Sequence, residues 1–346
     1  MPRYCTAEVT EVLTTRRGLQ RFGVRMPDGS PARAYALTEL VGTAEVGDLV
    51  VCNTTAVDRS LGTGGWHIVH WNTSRAELDL AGPDHIMKLR YTSLQADVGT
   101  SELIHGTEAD APLDERPVVV CTVHSQMAMV ALGFAQVAPG ARLAYVMTDG
   151  AALPLALSDL VAQLVDRKLL VGTVTAGHAF GGDLEAVTPA SALGLAAHVL
   201  RADAIVVCMG PGVVGTGTAM GTTAIEAAGL LDTARHRGGR PVLCCRFSEG
   251  DSRPRHLGLS HHVTSVLELT DSIPAVAAIP TGAADLPGVE PHDVERADVR
   301  ALLDHHGLEV TTMGRRFEQD RVFFEAATAA GQLAGSLSAD APGAKP

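Results

Sequence analysis

Five apolar segments of the chain each end in a short run of polar and glycine residues. These segments span 117–123, 142–147, 169–174, 203–209 and 241–247. Continuous Val, Ile and Leu runs of this length are typical of parallel strands that are covered on both faces. Helical stretches alternate with them, and this alternation indicates βαβ crossovers. We therefore predict an α/β fold with a doubly wound, mostly parallel sheet.

The first hundred residues follow a different pattern. Short alternating segments are separated by turns such as Arg16-Arg17-Gly18 and Pro27-Asp28-Gly29. Many short strands between such turns predict a small β-rich, barrel-like domain. The predicted parts are this β-rich domain at 1–105, an acidic, proline-containing linker at 106–116, the α/β domain at 117–330 and a disordered tail at 331–346 that is rich in Ala, Gly, Ser and Pro.

Charge and composition exclude several classes of protein. The net charge is −12, and no long basic run is present, which argues against a nucleic-acid partner. No apolar run is long enough to span a bilayer, and the chain starts without an apolar signal region. The six cysteines contain no Cys-x-x-Cys motif and are interpreted as reduced, buried thiols. We expect a cytoplasmic protein without a membrane partner, and a homo-oligomer remains open.

A glycine loop follows the strand at 203–209. Its glycines allow backbone N–H groups to approach an anion, and the predicted helix that follows favours negative charge at its N-terminus. Ligands of open α/β sheets bind outside the carboxyl ends of the strands. We therefore predict that the loop contacts a phosphate or carboxylate. The predicted ligand-binding residues are Gly210, Gly212, Gly215, Thr216, Gly217 and Thr218.

The densest ionisable cluster follows the strand at 241–247. Arginine forks suit phosphate or carboxylate groups, and histidines transfer protons or bind metals. Ser260 is predicted to cap a helix whose first turn carries two histidines. The catalytic candidates here are Asp251, His256, His261 and His262, and the ligand-binding candidates are Arg253, Arg255 and Ser260.

Two further strand ends supply polar side chains. His178 and Asp183, the catalytic candidates of this region, follow the strand at 169–174, and Asp149, a ligand-binding candidate, follows the strand at 142–147. His178, Asp183 and Glu185 could join His261 or His262 around a divalent ion. No established metal-ligand spacing is present, so the sequence leaves a metal cofactor open.

Two alternatives concern other residues. Lys88, a ligand-binding candidate, would share a strand face with Arg90 in the segment 86–91, and this strand and the loop at 61–67 would cover the site. His124, Ser125 and Asp149 would form a hydrolytic set. However, adjacent side chains of an extended strand point apart, and no Gly-x-Ser-x-Gly motif occurs.

Several motifs together resemble an uncharacterised bacterial family, the domain of unknown function 3866. They include Thr148-Asp149-Gly150 and Ser260-His261-His262. The resembling segments are 53–56, 61–65, 85–91, 148–154, 177–183, 209–218 and 260–262. The resemblance implies a single two-part protein, and the family brings no assigned reaction.

These observations lead to three hypotheses. The first is a hydrolase or transferase for a small anionic metabolite, held by the glycine loop, Arg253 and Arg255. The proton-transfer candidates are His178, His261 and His262, oriented by Asp183 or Asp251. The second is a non-catalytic ligand sensor or assembly subunit with the same pocket. The third, a small barrel that binds nucleic acid, would be favoured by a basic patch on the N-terminal barrel.

Overall fold

The computed structural model describes residues 1–61, 64–279 and 282–339. The chain forms two compact units, Met1–Gly99 and Thr100–Pro346. The division therefore lies a few residues before the boundary at 105 that the sequence suggested. Each unit has its own hydrophobic core.

The first unit is a closed barrel of five strands in the order β1-β2-β3-β5-β4. Its elements are β1 (Tyr4–Arg16), β2 (Leu19–Arg25), β3 (Pro31–Leu37), α1 (Thr38–Val41), β4 (Leu49–Asn53), α2 (Thr55–Asp58) and β5 (Trp66–Asn72). Neighbouring strands are antiparallel except β3 and β5, which are parallel. This is the strand arrangement of the OB-fold. Alternate residues such as Val9, Phe22 and Val50 fill the interior, so the predicted barrel is confirmed.

The second unit contains an eight-stranded sheet in the order β15-β14-β11-β6-β10-β7-β8-β9, with every neighbouring pair parallel. The strands of the sheet are β6 (Pro117–Cys121), β7 (Leu143–Thr148), β8 (Gly172–Ala176), β9 (Leu184–Ala186), β10 (Ala204–Met209), β11 (Arg240–Cys244), β14 (Ala275–Ala277) and β15 (Glu290–His292). A separate ribbon pairs β12 (Phe247–Ser248) with β13 (Gly258–Leu259). The predicted parallel α/β sheet is confirmed.

Helices cover both faces of this sheet. They are α3 (Glu102–Asp110), α4 (Gln126–Val137), α5 (Asp159–Asp166), α6 (Pro189–His198), α7 (Glu226–His236), α8 (His261–Leu269), α9 (Val299–His306) and α10 (Arg321–Ala339). Short 3-10 turns lie at Leu155–Leu157, Thr223–Ile225, Pro254–His256 and Phe317–Gln319. Helices α4, α5, α9 and α10 pack on one face, and α3, α6, α7 and α8 pack on the other.

Strand β10 is the point where the connections diverge. It lies between β6 and β7, which lead into α4 and α5 on one face, whereas β10 leads into α7 on the opposite face. Such a switch point opens a crevice at the carboxyl ends of the strands, where ligands of open α/β sheets bind. The glycine loop starts at this crevice.

Three local predictions are wrong. The tail is not disordered over 331–339, because these residues continue α10, where Leu333 and Leu337 are buried; residues 340–346 lie outside the described residues. The linker is not free chain: its start continues α3, and Leu113 is fully buried. The segment 86–91 is not a strand, since Lys88 forms an isolated bridge with Ala96.

Small residues bring α4 and α10 together. A Cβ on Gly331 would overlap the carbonyl oxygen of Val130, and a Cβ on Gly133 would overlap that of Thr328. The composition that suggested disorder therefore permits close helix packing, since glycine lets two backbones approach.

We expect Gly331→Ala to destabilise the second unit by about 1–3 kcal/mol, because its methyl group must displace a backbone carbonyl. Gly229→Ala in α7 is the matched control. No atom lies within 4 Å of its Cβ position among the described residues, so a gain of up to ~1 kcal/mol is expected. Thermal unfolding of both variants checks this, and an unchanged melting temperature for Gly331→Ala would contradict it.

Candidate functional site

Three imidazoles meet beyond the carboxyl end of β11. His256 ends a 3-10 turn, and His261 and His262 begin α8. One ring nitrogen of each lies within 4.8 Å of the others. Ser260 Oγ accepts a hydrogen bond from His262 N at 3.3 Å, which confirms the predicted helix cap. We call His256, His261 and His262 the histidine cluster.

The three rings have different hydrogen-bond environments. Arg246 Nη1 donates to His262 Nδ1 at 3.1 Å, so Nε2 of that neutral ring carries the proton and faces Thr222 Oγ1 at 3.3 Å. His256 Nδ1 lies 2.8 Å from Ser260 Oγ. Among the residues that the structure describes, no hydrogen-bond partner contacts the half-buried His261 ring. His261 therefore keeps both nitrogens available.

A buried network of charges lies beside the histidine cluster. Arg246 and the side chain of Asp251 are each only 1% exposed and lie 3.5 Å apart. The guanidinium of Arg253 donates two hydrogen bonds, of 2.9 and 2.8 Å, to the carboxylate of Asp251. Arg315 donates a third hydrogen bond to the same carboxylate at 3.2 Å. Hydrogen bonds from Arg253 hold the pKa of Asp251 well below its usual range. Asp251 thus anchors guanidinium groups, and its position does not support the predicted orientation of a histidine.

Burial and nearby positive charge keep the histidine cluster neutral. Burial, followed by the nearby charge of Arg246, lowers the pKa of His256 and of His262 to about 3. Burial and then Arg255 lower the pKa of His261. At neutral pH all three rings therefore retain a lone pair.

The second anchor of this network is Asp320. Its carboxylate is fully buried and accepts hydrogen bonds from Ser248 Oγ at 2.7 Å and from Glu249 N at 2.9 Å. Arg315 Nε donates to it at 2.9 Å. The segment that precedes α10 therefore fixes the loop that carries the histidine cluster.

The glycine loop reaches the histidine cluster through its second half. Gly215 pairs with Thr222, and the Cβ position of Gly217, at a φ of +89°, lies 3.6 Å from the guanidinium carbon of Arg255. The hydroxyl groups of Thr216 and Thr218 form a hydrogen bond of 3.0 Å across the turn between them. Of the six predicted loop residues, Gly217 thus lies next to Arg255, and Gly215 lies next to Thr222, which faces His262.

The first half of the loop has other neighbours. A Cβ on Gly210 would overlap the carbonyl oxygen of Ala152, and Ala152 N donates to Pro211 O at 3.0 Å. Gly212 has a φ of +100°, which favours glycine at the turn. Gly210 and Gly212 therefore shape the loop next to the segment that follows β7.

A pair of carboxylates lies at the end of β7. Thr148 Oγ1 donates to Glu226 Oε1 at 2.5 Å, and His178 N donates to Asp149 Oδ2 at 2.8 Å. Gly150 and Gly177 leave room for these two carboxyl groups, since a Cβ on either would overlap one of them. Burial, and next the charge of Asp149, raise the pKa of Glu226 to about 7.

The remaining carboxylates of this region hold the edge of the sheet. Asp183 Oδ2 accepts from Thr173 N at 2.9 Å and from Thr173 Oγ1 at 3.0 Å. Glu185 Oε2 accepts from Thr175 Oγ1 at 2.8 Å. Within 1–61, 64–279 and 282–339, the histidine cluster is the sole group of three or more His, Cys, Asp or Glu arranged to hold an ion. The alternative in which His178, Asp183 and Glu185 join His261 or His262 around an ion is therefore not favoured by the arrangement of the described residues.

His124 does not form the hydrolytic set suggested by the sequence. Its Nδ1 donates to Met209 O at 3.2 Å, and its Nε2 accepts from Ser158 Oγ, the cap of α5, at 2.7 Å. Lys88 is buried within the first unit, and its predicted contact with a ligand stays a prediction. In the predicted covering loop, Gly62 and Thr63 lie outside the described residues.

Sequence reasoning missed five residues of these networks, namely Arg246, Arg315, Asp320, Thr222 and Glu226. Only Arg246 could have been identified from the sequence. It lies in the apolar segment 241–247, and a charged residue in such a segment is buried only if an opposite charge or a hydrogen-bond partner compensates it. The other four are ordinary surface residues by sequence pattern.

The model of a protein family of unknown function, DUF3866, matches residues 33–331. The chain belongs to this family. No curated protein and no solved structure matches it. Among the described residues, no helix is both long and apolar enough to cross a bilayer. The matched range covers the segments that carried the resemblance, and the family assigns none of them a reaction.

We expect Asp251→Asn to destabilise the second unit by about 3–5 kcal/mol, because it leaves buried Arg246 without its carboxylate. Asp304→Asn is the control, since the Asp304–Arg300 pair is more than half exposed and contributes less than about 1 kcal/mol. Thermal unfolding distinguishes the two. Equal melting temperatures for both variants would show that Asp251 is not a structural anchor.

We expect Glu226→Gln to stabilise the protein at pH 8 but not at pH 5. The folded pKa of Glu226 is raised to about 7, so its stabilising effect is present below the unfolded value and is lost as pH rises through 7. The difference from the unmodified protein should reach about 2 kcal/mol at pH 8. Melting temperatures across this range measure it, with exposed Glu268→Gln as control. A difference independent of pH would contradict the prediction.

Proposed function

We propose that the second unit is a hydrolase or transferase for a small metabolite that carries a phosphate or carboxylate. The anion would lie between Arg255, the glycine loop at Gly217 and the histidine cluster. The observation that supports this is the buried guanidinium of Arg246, which donates to a neutral histidine instead of being fully neutralised. Its Nε has no hydrogen-bond partner among the described residues.

The balance of charge favours an anion over a metal ion. Three guanidinium groups, those of Arg246, Arg253 and Arg315, lie around the two buried carboxylates of Asp251 and Asp320. A fourth guanidinium, that of Arg255, lies next to Gly217. Arg246 also occupies the lone pair of His262 Nδ1, while Nε2 of that ring carries its proton. A metal ion would have to displace Arg246 and then lie beside positive charge.

His261 is the best placed group to transfer a proton. It is neutral at pH 7, and its ring lies 4.9 Å from His256 and 4.6 Å from His262, measured between ring centres. His256 and His262 are held by Ser260 and Arg246, so they position the third ring. A neutral imidazole beside a bound anion accepts a proton from water or from an acceptor hydroxyl, and then returns it to the leaving group.

The test is a thermal-shift titration of the full chain with inorganic phosphate, acetate and zinc. Phosphate at about a hundredfold excess over its Kd should raise the melting temperature by about 5–10 °C. Arg255→Gln should abolish this shift, and the exposed control Arg201→Gln should not. His261→Gln should retain the shift and abolish turnover of phosphate esters, with His305→Gln as its matched control.

Each contrary outcome is informative. A phosphate or acetate shift that survives Arg255→Gln would place the anion elsewhere. A shift with zinc alone would identify a metal centre. Anion binding without any turnover of phosphate or carboxylate esters would favour a ligand sensor.

A further inference from the structure

A cavity of about 650 Å³ lies beside the β12–β13 ribbon of the second unit. Volumes of about 300–1,000 Å³ are typical of sites for small molecules. The ribbon, the residues that follow β14 and the first turns of α10 contribute to its walls. We call it the ribbon cavity. Its apolar lining consists of Phe247, Leu257, Leu259, Ala278, Ile279 and Val322.

Part of this apolar lining is open to solvent. Leu257, which joins a 3-10 turn to β13, is 56% exposed, whereas Phe247 on β12 is buried. Apolar surface beside a cavity is stabilised when a ligand removes it from water. The ribbon cavity therefore favours a ligand that has an apolar chain.

A mostly buried carboxylate lines the same cavity. The side chain of Glu325 is 14% exposed, and its Oε2 accepts a hydrogen bond from Arg296 Nη2 at 2.5 Å. Glu325 Oε1 has no hydrogen-bond partner among the described residues. A carboxylate that is largely removed from water is stabilised by further donors. Glu325 can therefore accept a hydrogen bond from a ligand while Arg296, whose side chain is 69% exposed, stays in place.

The charges of the lining determine which donor fits. Among the described residues that line the cavity, Glu249 and Glu325 are acidic and Arg296 is basic, which leaves one negative charge in excess. An anion would have to bind beside two carboxylates, whereas one positive charge balances the lining. An ammonium group supplies that charge together with three N–H donors.

We propose that the ribbon cavity binds a small organic cation of the primary alkylammonium class. The ammonium group donates to Glu325 Oε1, and the alkyl chain packs against Leu257 and Leu259. The described lining contains neither Arg255, nor Gly217, nor any member of the histidine cluster. The proposal therefore does not depend on the anion site, and either can fail without the other.

Calorimetric titration of the full chain with hexylammonium, hexanoate and hexanol at neutral pH tests the charge preference. We expect hexylammonium to bind about tenfold or more tightly than the other two probes. Glu325→Gln should remove most of this preference, and the exposed control Glu268→Gln should retain it. Thermal unfolding verifies that both variants are folded. Equal affinity for the three probes, absence of hexylammonium binding, or unchanged binding by Glu325→Gln would overturn the proposal.

The apolar contribution is tested separately by chain length. Each CH₂ group that becomes buried should tighten binding about fourfold, so hexylammonium should bind more tightly than butylammonium. Leu257→Ser should reduce this dependence on chain length, and Leu269→Ser, at an exposed position of α8, should leave it unchanged. Equal affinity for the two amines would indicate a surface ion pair and overturn the proposal. Hexanoate binding that Arg296→Gln abolishes would identify an anion site instead.

Discussion

The burial of one positive charge, Arg246, determines much of the candidate site. Arg246 follows the carboxyl end of β11, and its side chain is only 1% exposed. A charge buried to this degree is stable only if carboxylates compensate its desolvation. Asp251 provides that charge, and it in turn fixes Arg253 and Arg315. Arg246 also fixes the tautomer of His262. Burial first, and then the charge of Arg246, lower the pKa of His256 and of His262. The chemistry available to these two rings thus depends on their burial and on this guanidinium.

The fold could be predicted from the sequence because its signal is local. Five of the eight strands of the parallel sheet, β6, β7, β8, β10 and β11, overlap the apolar segments of the sequence. The cap of α8 is local as well, because Ser260 Oγ accepts from His262 N, two residues away. The prediction of a disordered C-terminal tail failed because segments rich in Ala, Gly and Ser occur in two different structural situations. They are typical of disordered segments, yet at Gly331 they allow a helix to approach a backbone. Composition alone does not distinguish these cases.

The site was only partly predictable, because its contacts join residues far apart in the sequence. The histidine cluster and Arg255 were found from their density within one loop. Asp183 was grouped with His178 because they are close in sequence, yet its carboxylate is bonded to Thr173 on the edge of the sheet. Glu226 was missed, since only the fold places it against Gly150. Proximity along a loop predicts a neighbourhood but not a hydrogen-bond partner.

The packing of α10 has a consequence for synthesis of the chain. Residues 321–339 cover one face of the sheet, and Asp320 and Arg315 complete the network behind the histidine cluster. A nascent chain on the ribosome lacks these residues until almost all of the second unit has emerged, whereas the barrel is finished by residue 99. The barrel can therefore fold during translation, whereas the network behind the histidine cluster is complete only after Arg315 and Asp320 have left the exit tunnel. During that interval the uncovered sheet face exposes apolar surface to other nascent chains and to chaperones.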